Sequence, residues 1–128
     1  MNDIADIKPS SRKCELVTPT GEHTGIVFHL RSPDAPEIKA FERKIEDAVL
    51  RGRGKLPARE RRTFRSDRII AGVEGWHFED GAMEVFGETE PEFSEKILRK
   101  LLKLDWIAKF LDTEMGDETV FFESLEKL

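Results

Sequence analysis

Catalysis needs groups that attack, move protons or hold an ion, and this chain offers few of them at useful spacing. Its three histidines, His23, His29 and His77, are scattered, and its one cysteine, Cys14, has no partner at a metal-ligand interval. No zinc centre is expected, and His29 reads as a residue on the exposed face of a strand. No glycine-rich nucleotide loop follows a strand. Gly52-Arg53-Gly54-Lys55 has the composition of a phosphate loop but neither its spacing nor its hydroxyl residue. No serine sits in a nucleophile elbow, and no nucleophile lies near a candidate base. The acidic pairs Glu79-Asp80 and Asp117-Glu118 fall in loops or at helix starts, where solvation and capping account for them. The expectation is a protein without catalytic residues, metal or cofactor.

The strongest local signal is electrostatic. Residues 51–68 carry eight basic and two acidic side chains, whereas residues 69–128 carry six and fifteen, within a net charge of -5. Arg59, Arg61, Arg62, Arg65 and Arg68 are the candidate contact residues of that block. Arginines that neutralise phosphates release counterions, so one reading is a small nucleic-acid-binding or regulatory protein. Phe64 is the one aromatic among them, and the interleaved aromatics of single-strand binders are missing. The other reading is a solvated helix face, or a surface meeting acidic protein, including another copy of the chain. Trp76 and Trp106 sit among apolar residues at element boundaries and read as structural core. Phe121 and Phe122 are adjacent, so one helix cannot turn both into a single small core, and an outward phenylalanine marks a partner surface.

The elements that position these residues follow from periodicity. At 128 residues the chain suits one domain, read as 13–128 after a flexible tail over 1–12. Cys14 and Leu16 alternate with Lys13, Glu15 and Val17, and Ile26, Phe28 and Leu30 with Val27, His29 and Arg31, on either side of a Pro/Gly-rich link, which predicts a β-hairpin. A helix follows, with Asp34 as cap, Pro36 in the first turn, and Ile38, Phe41, Ile45 and Val49 along one face. A second runs from Pro57 through the arginines to Phe64, Ile69, Ile70 and Val73, and Gly72 and Gly75 end it before Trp76. Residues 77–93 read as a loop or irregular hairpin. Ser94 caps a leucine-rich helix that continues through Trp106 to Leu111, with Phe93 and Leu98 spaced as a hydrophobic staple. Asp117 opens a last helix carrying Val120, Phe121, Leu125 and Leu128. The fold class is α+β, mainly α-helical, with an N-terminal β-hairpin followed by about four to five helices. No apolar run reaches the length of a membrane span, no secretory leader is visible, and a single cysteine fits a reducing compartment.

This order of segments resembles that of the tail assembly chaperones of long-tailed, lambda-like bacteriophages. The likeness is carried by the hairpin Lys13–Arg31 around Pro19-Thr20-Gly21-Glu22, the Ser32-Pro33-Asp34 helix start, and the run Ile69-Ile70-Ala71-Gly72-Val73-Glu74-Gly75-Trp76. It continues through Pro91-Glu92-Phe93-Ser94-Glu95, the leucine-rich helix to Trp106-Ile107, and Phe121-Phe122. It spans about residues 13–122. The resemblance implies a non-enzymatic protein of the host cytoplasm, absent from the mature virion. Such a protein holds the tape-measure protein in solution until tail-tube protein polymerises around it, and it commonly self-associates. On that reading the Arg59–Arg68 face meets acidic residues of the next copy in a homo-oligomer, and Phe121 or Phe122 contacts the client. Nucleic acid and membrane are not expected partners.

Overall fold

The structure, a computed structural model, describes residues 12–32, 34–52 and 58–116, and for 58–62 the backbone alone. The expected tail over 1–11 and the expected helix from Asp117 onward lie outside the described residues. Among the described residues the fold is α+β, with a three-stranded antiparallel sheet and four helices.

Period-two alternation builds the hairpin as expected. Strands β1 (Arg12–Val17) and β2 (His23–Leu30) pair antiparallel, with Cys14 opposite Phe28. The link between them closes through Thr18 N–H donating to the Glu22 carbonyl and Gly21 N–H donating to the Thr18 carbonyl, each at 2.9 Å. Helix α1 (Pro36–Arg51) follows, but Asp34 is not its cap. Ala35 holds the cap position without a side-chain hydrogen bond, and Asp34 instead turns its own N–H to Ser32 Oγ at 3.3 Å. Pro36 opens the helix at the position where a missing N–H costs nothing.

Helix α2 (Ala58–Gly72) passes directly into a strand, β3 (Val73–Phe78), which completes the sheet in the order β1-β2-β3. This corrects the expectation of a helix through Val73 and a loop from residue 77. The reason is a register shift between His29 and Leu30, which sets Leu30 opposite Val73 but His29 opposite Gly75. Val73 and Trp76 therefore both turn toward the core three residues apart, a helix-like interval produced by a bulge.

The leucine-rich segment is also divided. Helix α3 (Glu95–Leu102) starts at Ser94, whose Oγ accepts from Ile97 N–H at 3.1 Å as expected. It stops at Lys103, and Leu104 is extended (φ -83, ψ 109) before helix α4 (Asp105–Met115) begins. An unbroken helix in phase with Leu98, Leu101 and Leu102 would turn Asp105 inward. The break resets the phase so that Ile107, Ala108 and Leu111 are buried and Asp105 becomes the acidic first residue of α4.

One core forms between the sheet and the helices. Leu16, Ile26, Phe28 and Leu30 of the hairpin meet Ile69, Val73, Leu98, Leu101, Ile107 and Leu111, with Phe28 fully buried. A second, smaller cluster of Phe41, Ile45 and Val49, joined by Phe64 and Ala71, holds α1 to α2.

Candidate functional site

Because α1 has its own small core, the fold leaves a space between α1 and the far end of α4. A cleft of about 710 Å³ opens there, reached by residues from the start of β1, the end of β2, α1, the end of α2 and the end of α4. Its apolar surface comes from Leu30, Ile38, Phe41, Ala71 and Met115. Leu30 and Phe41 are buried, while Ile38, Ala71 and Met115 remain half-exposed to the opening. The size and composition fall within the range of ligand and peptide sites.

Charged side chains border this apolar surface and are tied to the scaffold. Arg12 faces Glu114 at 3.7 Å across one side. Arg31 lies 3.4 Å from Glu37 and donates from Nε to the Ala71 carbonyl at 3.0 Å, while its N–H donates to the Gly72 carbonyl at 2.7 Å. Gly72 permits close packing here, because a Cβ on it would run into the end of the Met115 side chain. Beside the cleft, burial and then the Glu114 carboxylate push the Cys14 thiol up to about 11, with Arg12 opposing. The thiol is protonated at neutral pH and acts as a small apolar core residue.

Arg68 is the hinge pin of this end of the molecule. It is 8% exposed, pairs with the buried Asp112, and donates from its second guanidinium nitrogen to the carbonyls of Met115 and Gly116. Helix α4 has no basic residue in its last turn, so Arg68 brings the positive charge that its carboxyl end favours. This removes Arg68 from the outward arginine face expected from the sequence. Arg65 is half-buried with a guanidinium nitrogen 3.7 Å from Asp105, so both Arg65 and Arg68 of the basic block meet acidic residues of α4 in the same chain. The side chains of Arg59, Arg61 and Arg62, and residues Phe121 and Phe122, lie outside the described residues.

Trp76 and Trp106 both pack against the main core from its edge. Trp76 meets Phe28 edge-on at 6.0 Å between centroids, lies 4.8 Å from Phe93, and donates from Nε1 to the Pro91 carbonyl at 2.9 Å. Sequence reasoning missed two surfaces. The cleft draws on segments far apart in the chain, and its one sequence trace is the Ile38–Phe41 stripe, which reads as plain core. Phe86 is 51% exposed at φ 50, with Lys100 Nζ 4.8 Å from its ring centre, in a segment whose glycines and glutamates suggest only a loop. No helix among the described residues is long and apolar enough to cross a membrane. Comparisons with protein-family models, curated proteins and solved structures give no match.

Proposed function

We propose that this protein is a non-enzymatic tail assembly chaperone of a long-tailed bacteriophage. It binds the tape-measure protein in the host cytoplasm, keeps it soluble and helps recruit tail-tube subunits. The order of segments over 13–122 supports the reading, and the observation that carries it is the cleft between α1 and α4. An extended helical client exposes apolar stripes at i, i+3, i+4 and i+7, and a groove with apolar walls and a charged border is the complement of such a stripe. Ile38 and Met115 supply half-exposed apolar contact, and the Arg12–Glu114 and Arg31–Glu37 pairs supply the polar border. Reversible holding needs contacts of this mixed kind, since the client must later be surrendered to the tube.

The test is co-expression with the tape-measure protein of the same phage, followed by nuclease treatment and affinity capture. The wild-type chain is expected to keep the client soluble and bound after nuclease. Ile38→Glu, which places a charge on the cleft wall, is expected to return the client to the pellet while the variant stays folded. A client that leaves with nuclease, or one held equally by Ile38→Glu, overturns the reading.

A further inference from the structure

Alternation in the sheet has a second consequence, on the face turned away from the helices. Phe28 and Leu30 of β2, and Trp76 and Phe78 of β3, pack on the core side, so His29 and His77 project from the opposite face. In register, Val27 is opposite His77 and His29 opposite Gly75, which makes the two histidines diagonal neighbours on adjacent strands. Gly75 offers no side chain between them. Their rings meet edge-on, with centroids 4.8 Å apart and an interplanar angle of 72°. His29 Nε2 and His77 Nδ1 lie 2.5 Å apart, so one ring donates and the other accepts.

Two imidazole nitrogens converging from adjacent strands form the nucleus of a transition-metal site. We propose that His29 and His77 chelate a divalent late first-row metal ion, of which zinc is the probe, on the open face of the sheet. Zinc–nitrogen bonds of about 2.0–2.1 Å in tetrahedral geometry set two ligating nitrogens roughly 3.4 Å apart. The pair reaches that spacing by opening about 1 Å, a small χ rotation for side chains on an open face. Water completes the coordination, because no group of three or more ligating residues occurs among the described residues. The neighbouring charges are mixed. Lys13, opposite His29 on β1, repels a cation, and Glu74 beside it on β3 attracts one. Burial, His77 and Lys13 lower the His29 pKa, with Glu74 opposing, which favours the neutral ring that ligates a metal.

The experiment is calorimetric titration of the full chain with zinc chloride at neutral pH in a non-coordinating buffer. One saturable zinc per chain is expected. Affinity should fall roughly tenfold or more in His29→Gln and in His77→Gln, since loss of a direct ligand costs at least what loss of its outer-shell support does. His23→Gln should be unchanged, because His23 sits apart against Glu15 at 3.1 Å. Long-range proton–nitrogen NMR on the wild-type chain gives a readout independent of any variant. Zinc should move the ring nitrogens of His29 and His77 and leave those of His23 in place. No saturable binding, one ion per two chains, equal affinity in His77→Gln, or ring shifts confined to His23 each overturn the site.

Discussion

Arg68 ties α2 to the end of α4 through a buried ion pair and two backbone carbonyls. A buried ion pair is weak evidence of net stability, because both charges have lost their water, but breaking it by removing one partner is costly. Arg68 and Asp112 are both about nine-tenths buried, and Asp112 lies near the carboxyl end of α4, where a carboxylate alone is unfavourable. Arg68→Met is therefore expected to destabilise the protein by about 3–5 kcal/mol, and the double variant Arg68→Met/Asp112→Leu to recover much of that loss. Urea unfolding of the wild-type chain and the two variants measures both effects. Single-variant midpoints equal to wild type would place the pair with the exposed bridges, such as Arg99–Asp67 and Arg12–Glu114, which are worth about 0–1 kcal/mol. The same substitution also reports on the cleft, since Arg68 holds the α4 end that forms one of its walls.

Between elements, the sheet and the segment after it are joined at Gly25. Its φ is +76, and a Cβ there would lie 2.8 Å from the Ala82 backbone. Its N–H donates to Glu15 Oε2 at 3.0 Å, and its carbonyl accepts from Glu79 N–H at 2.9 Å. Gly25→Ala thus adds backbone strain to a clash with main chain, and a loss of at least about 2 kcal/mol is expected. Gly21→Ala, at φ +88 with open space around it, isolates the strain alone and should cost less. Thermal unfolding separates the two, and equal losses would mean that the Ala82 contact contributes nothing. This junction also marks the limit of what periodicity reveals. The hairpin, the α1 stripe and the Ser94 cap were legible because each obeys one local period or one capping geometry. Strand β3 was not, because the bulge at His29–Leu30 gives Val73 and Trp76 a helical interval. The break at Leu104 was hidden because leucine fills both phases of the stripe. The cleft had no linear signature, since its walls come from both ends of the described chain. Arg68 shows the same limit in charge: composition placed it in a basic block, and only packing against α4 turned it inward.

Across the whole molecule the charge is uneven, and only part of it is matched by pairs among the described residues. Arg65–Asp105, Arg68–Asp112 and Arg99–Asp67 join α2 to α3 and α4, so part of the basic block is already matched within one chain. By sequence, residues 51–68 carry six more basic than acidic side chains, and residues 69–128 nine more acidic than basic. If copies of the chain line up along a rod-like client, as the proposed function has it, opposite charges of this kind suit head-to-tail contacts, which are heterologous and extend rather than close. Charge reversal at Arg61 and Arg62 tests this. At ionic strength near 0.01 M, where charges act over about 30 Å, the wild-type chain is expected to self-associate. The association should fall away at about 1 M, where that reach is about 3 Å. Arg61→Glu/Arg62→Glu should sediment as the smaller species at both. Association that survives both the variant and high salt would mean that copies meet through apolar surface, which shifts the contact toward Phe86 and away from the arginines. The client contact proposed for Ile38 is separable from either result, because Ile38 lies on the cleft wall in α1 and residues 61–62 lie near the start of α2. A variant that binds client as a monomer would show that holding resides in the single domain and that assembly adds reach along the client.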